Sequence, residues 1–209
     1  MRETATCWKH SRGLEQMHPD LIFAMHEFAE MFETRGYRYA IMGGIAARVL
    51  GIPRPTYDVD FALAVSRDQL PELFDAAESA GYHVPIAYRS GWVDTVANMP
   101  LVKLGMQLGT HGIDIDVFLS ECSFQESILT RRSQHDVGGK LVWLVSPEDL
   151  IVLKVLANRD RDRGDVQDVL FMQGELDRDY MRHWAEKLGV LSNLDEAFKK
   201  YDLSPDERP

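Results

Sequence analysis

The hydrophobic and polar positions of this chain repeat with two different periods, and these periods predict its helices and strands. In residues 19–35 the apolar side chains recur every three to four positions, which predicts a helix with one buried face. Residues 37–42 form a short, continuous apolar run, which is typical of a buried strand. A glycine pair, Gly43 and Gly44, turns this strand into a second helix over residues 45–50.

The pattern changes character near residue 146. Before that point we expect strands at Asp58–Leu63, 92–96, 101–104 and 113–119, with a turn at 109–112. We expect two helices in the same part, one from Asp68 as its N-cap to Gly81 and one at Ser123–Arg131. A hairpin is expected at 137–145, around Gly138 and Gly139. From Ser146 onward the pattern is helical, with Ser146 suited to an N-cap and Pro147 to the first helical position. Residues 1–17 show no regular pattern.

The order of these elements predicts an α/β part of the α+β kind, followed by an all-helical part. We expect residues 1–36 to be an N-terminal segment with a helix that packs on the core. Residues 37–145 would form the α/β core, and residues 146–209 the C-terminal helical part. A chain of 209 residues with 45% hydrophobic content is long enough for one sizeable core of this kind.

Charge and cysteine content narrow the class of protein. The net charge is −10, from 23 basic and 33 acidic residues, which argues against a general nucleic-acid coating protein because such proteins carry basic patches. Cys7 and Cys122 form neither a metal motif nor a disulfide framework. No stretch approaches the roughly 20 apolar residues of a membrane span, and no apolar signal segment follows Met1. We therefore expect a cytoplasmic protein with free thiols and no membrane partner.

The first candidate for chemistry is the motif Asp58-Val59-Asp60. Side chains two residues apart on a strand point to the same face, so both carboxylates share one side of the sheet. Aspartate is unfavourable within a strand, and this alternation therefore needs a reason. Carboxylate oxygens are the ligands that Mg²⁺ prefers, and we interpret the pair as metal ligands; the alternative is an exposed strand face with two solvated acids.

A second strand with the same alternation contains Asp114 and Asp116. If it lies beside the first, three or four carboxylates converge, and their repulsion favours a bound cation. One of them could also accept a proton from an attacking hydroxyl. Spacing does not decide between Asp114 and Asp116, and we favour Asp116 as the third functional acid. The alternative is that both acids belong to a charged edge of the sheet.

Around these acids stand candidate phosphate ligands. Gly43 and Gly44 precede a helix N-terminus, where backbone amides can approach an anion. Arg54 could reach a triphosphate, and Thr56 could bond backbone or phosphate. Each of these four residues could equally belong to an ordinary turn or loop.

Beyond residue 146, Lys154 interrupts an otherwise apolar helix. It is either a surface lysine with a buried stem or a cation aimed into the cleft. The alternating charges of residues 158–168 are typical of a solvated linker. Alternatively, Asp165 and Asp168 share one helical face and orient Lys154 or Arg159.

The glycine pair, the Asp58-Val59-Asp60 motif and a later strand acid together resemble the polymerase-beta-like nucleotidyltransferase superfamily. Within it, the helix with Lys154 and the following Arg159…Asp165-x-x-Asp168 are similar to motifs of AbiEii-like toxins, although Ile45 stands where those usually carry a hydroxyl residue. The resemblance implies a mixed β-sheet flanked by helices, Mg²⁺ (or Mn²⁺), and a nucleoside triphosphate as substrate.

By the same resemblance, Asp58 and Asp60 would bind metal, Asp116 would complete the site, and Gly43, Gly44 and Lys154 would hold the triphosphate. The expected activity is transfer of a nucleoside monophosphate from an NTP to a hydroxyl of tRNA, a small molecule or a protein, with an antitoxin protein as a further expected partner. Five arginines could offer RNA a local basic surface: Arg131, Arg132, Arg159, Arg161 and Arg163. The alternatives are a non-catalytic nucleotide- or partner-binding module on the same fold, and a scaffold whose acids have no role.

Overall fold

The computed structural model describes residues 17–108 and 111–203 and contains a seven-stranded mixed sheet. Its strands are β1 Tyr39–Met42, β2 Asp58–Leu63, β3 Asp94–Val96, β4 Met99–Leu108, β5 His111–Leu119, β6 Ser133–Val137 and β7 Lys140–Leu144. Its α-helices are α1 Pro19–Thr34, α2 Gly43–Leu50, α3 Leu70–Ser79, α4 Ile86–Arg89, α5 Ser123–Arg131, α6 Pro147–Ala157, α7 Asp160–Gln173, α8 Arg178–Lys187 and α9 Leu191–Asp202. The expected α/β class with a mixed sheet flanked by helices is confirmed.

Strand order across the sheet is β3-β4-β5-β2-β1-β7-β6. The pairs β2–β5 and β1–β7 are parallel, and the other neighbours are antiparallel. The central parallel pair puts the two acidic strands side by side, with Asp58 opposite Asp114 and Asp60 opposite Asp116. The convergence of carboxylates that the two alternating patterns predicted is therefore a consequence of strand register.

The opposite face of β2 is apolar and forms the centre of the core. Phe61 is fully buried, and its ring lies 6.1 Å from that of Phe28, 5.2 Å from Phe32 and 5.9 Å from Tyr39. Phe28 and Phe32 belong to α1, whose apolar stripe therefore covers this face of the sheet. Packing behind β2 fixes the strand that carries Asp58 and Asp60 on its other side.

Most predicted elements appear where the local pattern placed them. The strand Asp58–Leu63, the helix Ser123–Arg131 and the hairpin around Gly138–Gly139 are present. At the start of α6, Ser146 accepts a hydrogen bond from the backbone N–H of Asp149, as expected of an N-cap. Local signals of this kind are reliable because capping and alternation depend on neighbouring residues alone.

Several element bounds differ from the prediction; for example, the hairpin expected at 137–145 spans Ser133–Leu144. The helix after β1 begins at Gly43, two residues earlier than expected. The expected cap Asp68 is replaced by Ser66, which caps a 3₁₀ turn at Arg67–Gln69 that leads into α3. The strand expected at residues 101–104 extends over Met99–Leu108, because β5 pairs with its whole length. The short helix Ile86–Arg89 has no sequence signal that we recognised.

Other expectations are not decided by the structure. The irregular pattern of residues 1–17 concerns a segment that lies outside the described residues except for Met17, and Cys7 lies outside them as well. The expected turn at 109–112 is decided only in part: it is wrong for His111 and Gly112, which begin β5 and pair with β4, and residues 109 and 110 also lie outside the described residues. The division of the chain at residues 36 and 145 stays a prediction. Within the described ranges, no helix has the length and apolar character needed to cross a membrane.

The C-terminal helices pack against the loop that precedes the acidic strand. Gln173 of α7 donates a side-chain hydrogen bond to the carbonyl of Leu50, and a Cβ on Gly51 would lie 3.2 Å from Val169 of the same helix. The buried Arg48 of α2 donates to the carbonyl of Arg54, which holds this loop from inside. Residues 51–57 are thus fixed between α2, α7 and β2.

Replacement of Phe61 by alanine should destabilise the fold by about 3–5 kcal/mol, because it leaves a cavity between three aromatic rings. The measurement is urea unfolding followed by circular dichroism. Phe171→Ala is the matched control: this phenylalanine is 66% exposed on α7, and its loss should change the free energy of unfolding by less than about 0.5 kcal/mol. Equal effects of the two substitutions would contradict the assigned core.

Candidate active site

Three carboxylates line one cleft, of about 140 Å³, on the face of the sheet opposite α1. Asp58 and Asp60 come from β2 and Asp116 from β5. Thr56 donates its hydroxyl to Asp58 Oδ1 at 3.0 Å, which orients that carboxylate. Asp114 shares the same strand face but is exposed and does not line the cleft. The structure therefore favours Asp116 over Asp114 as the third acid of this cluster.

Asp116 uses its two oxygens differently. Its Oδ2 accepts a hydrogen bond from Lys103 Nζ at 2.7 Å, and Lys103 lies directly opposite it on β4. Its Oδ1 is buried and has no hydrogen-bond partner among the described residues. A buried oxygen of this kind is costly unless something binds it, so it marks the position of a ligand, a cation or a transferred proton.

The glycine pair gives the backbone access to these acids. Gly43 has φ +63°, and a Cβ at that position would lie 1.8 Å from Asp60 Oδ2. A Cβ on Gly44 would lie 2.1 Å from Thr56 Oγ1, and the Gly44 backbone N–H hydrogen-bonds to Asp60. The pair is therefore required by close approach to Asp60 and Thr56, and it places the N-terminus of α2 at the carboxylates.

The cluster carries more negative charge than the protein neutralises. Burial raises the pKa of Asp60 to about 7, with further increases from the charges of Asp58 and Asp116, while Lys154 and the Gly44 amide act in the opposite direction. Burial also raises the pKa of Asp116, in spite of the hydrogen bond from Lys103. A divalent cation at this position would relieve the repulsion.

The carboxylates have the chemistry of a Mg²⁺ or Mn²⁺ site, since both ions take oxygen ligands. The carboxylates of Asp58 and Asp60 share one strand face, and Asp116 adds an unpartnered buried oxygen. As the side chains stand, no group of three or more His, Cys, Asp and Glu residues in the described part of the chain is arranged to hold an ion. The donor set therefore fits the ion by type and lies in one cleft, but its side chains are not gathered around an ion, and Lys103 holds the remaining oxygen of Asp116.

Across the cleft lies an ion cluster that joins the helical part to the loop before β2. Lys154 is 5% exposed, and its Nζ contacts Asp162 Oδ1 at 2.9 Å and Asp165 Oδ2 at 2.7 Å. Arg54 binds Asp165 through two hydrogen bonds, of 2.5 and 2.7 Å. Arg159 Nε contacts Asp162 Oδ2 at 2.8 Å. Two acids thus bridge three cations.

The ion cluster contains several of the residues that the sequence suggested for the site, and the structure shows their contacts. Lys154 is buried and lines the cleft, and its amine is bound by two aspartates. It therefore contributes positive charge to the cleft through the ion cluster and does not present an unbound amine. Asp165 does orient Lys154, whereas Asp168 forms no ion pair or side-chain hydrogen bond within the described ranges. Asp162 takes the role that we expected of Asp168. Arg54 lines the cleft as expected, with its guanidinium bound to Asp165.

Sequence reasoning missed two residues of this site. Asp162 lies among the alternating charges of residues 158–168, which are typical of a linker, although most of that segment belongs to α7. Lys103 lies on a strand that we predicted, but its importance depends on the pairing of β4 with β5. The available signal was the single lysine of residues 101–104, which a correct strand pairing would have placed opposite Asp116.

A mixed sheet with two aspartates on one strand, a third on its parallel neighbour and a glycine turn at a helix N-terminus is the arrangement of a polymerase-beta-like nucleotidyltransferase. A family model described as "nucleotidyltransferase of unknown function (DUF6036)" matches residues 20–204. The chain belongs to this family and is a nucleotidyltransferase. The closer resemblance to AbiEii-like toxins stays a prediction.

Solved structures of several nucleotidyltransferases are similar to this fold. One is ANT(2″)-Ia in complex with adenylyl-2″-tobramycin, with 14% identity, a TM-score of 0.50 and coverage of 85% of this chain and 98% of that one. Another is an antigenic nucleotidyltransferase-like protein from Paracoccidioides brasiliensis, with 18% identity, a TM-score of 0.49 and coverage of 88% and 94%. No curated protein matches the chain in sequence. At such identities the likeness concerns the fold alone.

The contact between Gly43 and Asp60 can be tested by Gly43→Ala. Any residue other than glycine is strained at this φ by about 1–2 kcal/mol, and here the new Cβ also meets the Asp60 carboxylate. Gly139→Ala is the matched control, since Gly139 has φ +84° and a Cβ added there would have no atom within 4 Å. In urea unfolding, Gly43→Ala should cost at least about 1 kcal/mol more than Gly139→Ala. Equal costs would show that the close approach is absent.

The ion cluster should make stability depend on pH through Lys154. Burial alone would raise the pKa of Asp162 and Asp165, but hydrogen bonds and charges from Lys154, Arg159 and Arg54 lower both below the ordinary value. Their contribution to stability is therefore present above the ordinary aspartate pKa of about 3.9 and is lost as pH falls through the folded-state values.

Lys154→Met should accordingly destabilise the protein by about 3–5 kcal/mol at pH 7, because it removes the buried cation that Asp162 and Asp165 share. The difference from wild type should shrink below about pH 4, where the acids become protonated. Urea unfolding at a series of pH values measures this. Lys140→Met, at a lysine whose side chain is 59% exposed, should show no such pH-dependent difference. A cost of Lys154→Met that stays constant with pH would contradict the cluster.

Proposed function

We propose that this nucleotidyltransferase moves a nucleoside monophosphate from an NTP to a hydroxyl-bearing acceptor and requires Mg²⁺ or Mn²⁺. The observation that carries the proposal is the register of β2 and β5, which sets Asp60 opposite Asp116 beside the Gly43–Gly44 turn. Carboxylates for metal and a helix N-terminus for phosphate are the two requirements of this chemistry, and both lie in one cleft.

In the proposed reaction, the acceptor oxygen forms a bond to the α-phosphorus as the bond to pyrophosphate breaks. The backbone around Gly43 and Gly44 leaves room for the phosphates, and the N-terminus of α2 favours their negative charge. Asp116 Oδ1, which has no hydrogen-bond partner among the described residues, accepts the proton of the attacking hydroxyl. When bound at Asp58, Asp60 and Asp116, the metal would neutralise charge on the phosphates and on the leaving pyrophosphate.

Positive charge lies on the helical side of the cleft. Among the described residues, four cations line that side: Arg54, Lys154, Arg159 and Arg161. All of them except Arg161 belong to the ion cluster. This side suits the triphosphate. The cluster would then act as a fixed positive background, because its lysine and arginine are held by Asp162 and Asp165.

The acceptor is a hydroxyl of tRNA, of a small molecule or of a protein. The neighbour ANT(2″)-Ia holds an adenylylated small molecule, which is a precedent for the second class. Arg131 and Arg132 of the expected RNA surface are engaged elsewhere: Arg131 contacts Glu148 at 3.0 Å, and Arg132 lies 4.6 Å from the Trp143 ring. A toxin role with an antitoxin partner depends on the sequence resemblance alone.

The proposal predicts that Asp58→Asn and Asp60→Asn each lower nucleotidyl transfer by about a hundredfold or more, because each removes charge that the metal and phosphates require. The measurement is incubation with each α-³²P-labelled NTP and Mg²⁺, offered total tRNA, protein and a panel of small polyhydroxyl compounds. Omission of the divalent cation should have a similar effect.

Asp114→Asn is the matched control. It removes an aspartate from the same strand face that is exposed and lies outside the cleft, so the rate should stay within about threefold of wild type. Metal-independent NTP binding without transfer to any acceptor would instead favour the non-catalytic module. Full activity of the Asp58 and Asp60 variants would refute the proposed site.

A further inference from the structure

Lys103 is the cation nearest to the third acid, and the expected function gives it no role. It lies directly opposite Asp116 in the antiparallel pair β4–β5, and its Nζ is 2.7 Å from Asp116 Oδ2. Its side chain is 49% exposed. It is therefore held by one contact at the mouth of the cleft, unlike Lys154, which is buried between two acids.

Lys103 binds a carboxylate, that of Asp116, that the proposed metal would also bind. Asp116 has one oxygen bound to Lys103 and one buried oxygen without a partner among the described residues. Asp58 and Asp60 add their charge beside it. A single ammonium at one oxygen neutralises only part of this cluster, whereas a divalent ion neutralises more and can bind several carboxylates at once.

A second acid is available to Lys103 on its other side. Asp94 of β3 lies opposite Leu101 of β4, so it is a diagonal neighbour of Lys103 on the same face, at about 7–8 Å between backbones. Asp94 is oriented by Tyr88 Oη at 2.6 Å and Trp92 Nε1 at 2.9 Å. The side chain of a lysine is long enough to exchange one of these carboxylates for the other.

We propose that Lys103 is a built-in counter-cation that a divalent metal displaces from Asp116 and that moves towards Asp94. This inference rests on the proposed metal-dependent function and adds to it a residue that sets metal affinity. Lys103 stabilises the acidic cluster when no metal is bound, and it competes with the metal for the charge of the same carboxylate, that of Asp116. Removal of its charge should therefore increase metal affinity.

The test is titration with Mn²⁺ followed by electron paramagnetic resonance, which counts free Mn²⁺ and needs no activity. Lys103→Met should lower the dissociation constant about two- to fivefold, the upper part of the range expected when one partly exposed charge contact is lost. Lys103→Arg keeps the charge and should retain the wild-type affinity. Lys140→Met is the control for net charge: this lysine is 59% exposed and pairs with Glu30 on another part of the surface.

A second arm locates the effect at Asp116. In an Asp116→Asn background, Lys103→Met should no longer increase affinity, because the carboxylate charge for which the lysine and the metal compete is absent. The inference is overturned if Lys103→Met binds Mn²⁺ as wild type does, binds it more weakly with an unchanged circular dichroism spectrum, or gains no more than Lys140→Met. If neither wild type nor any variant binds Mn²⁺, even with ATP present, the proposed metal-dependent function fails as well. Mn²⁺ binding by wild type without the expected effect of Lys103→Met would overturn the inference about Lys103 alone.

Discussion

The parallel pairing of β2 with β5 is the constraint on which the rest of the structure depends. Its register brings Asp60 opposite Asp116, so folding itself assembles like charges that repel each other. The apolar face of the same strand, centred on Phe61, stabilises this pairing through burial against α1. The site is thus held together by the core behind it, and its own carboxylates oppose the assembly. The proposed cation would relieve that opposition.

The C-terminal helices place positive charge on the other side of the cleft, and this charge offsets part of the repulsion between the carboxylates. Lys154 comes from α6, Asp162 and Asp165 come from α7, and Arg54 comes from the loop that leads into β2. Because no member of the cluster is satisfied without the others, the three segments must dock in one arrangement. The cluster therefore fixes the position of the helices relative to the acidic strand, which a set of apolar contacts would define less strictly.

Local patterns predicted the elements and the acids of the site, but not the contacts between distant segments. Asp58 and Asp60 were recognisable because alternation along one strand determines which side chains share a face. The preference for Asp116 over Asp114 agrees with the burial seen in the structure, although spacing alone could not decide it. Lys103 and Asp162 could not be assigned, because their roles depend on strand pairing and helix docking, to which no local pattern refers.

The two lysines that face the acidic cluster differ in a way that suits different tasks. Lys154 is enclosed, and its movement would break its contacts with two buried acids, Asp162 and Asp165, at once, which is costly. Lys103 is half exposed and has one strong contact, so water and Asp94 can replace Asp116 at little cost. Lys154 can therefore provide a permanent positive charge, and Lys103 can provide a positive charge that another cation replaces. The cleft would thus combine a rigid electrostatic background from the helices with the proposed position on β4 at which cations exchange.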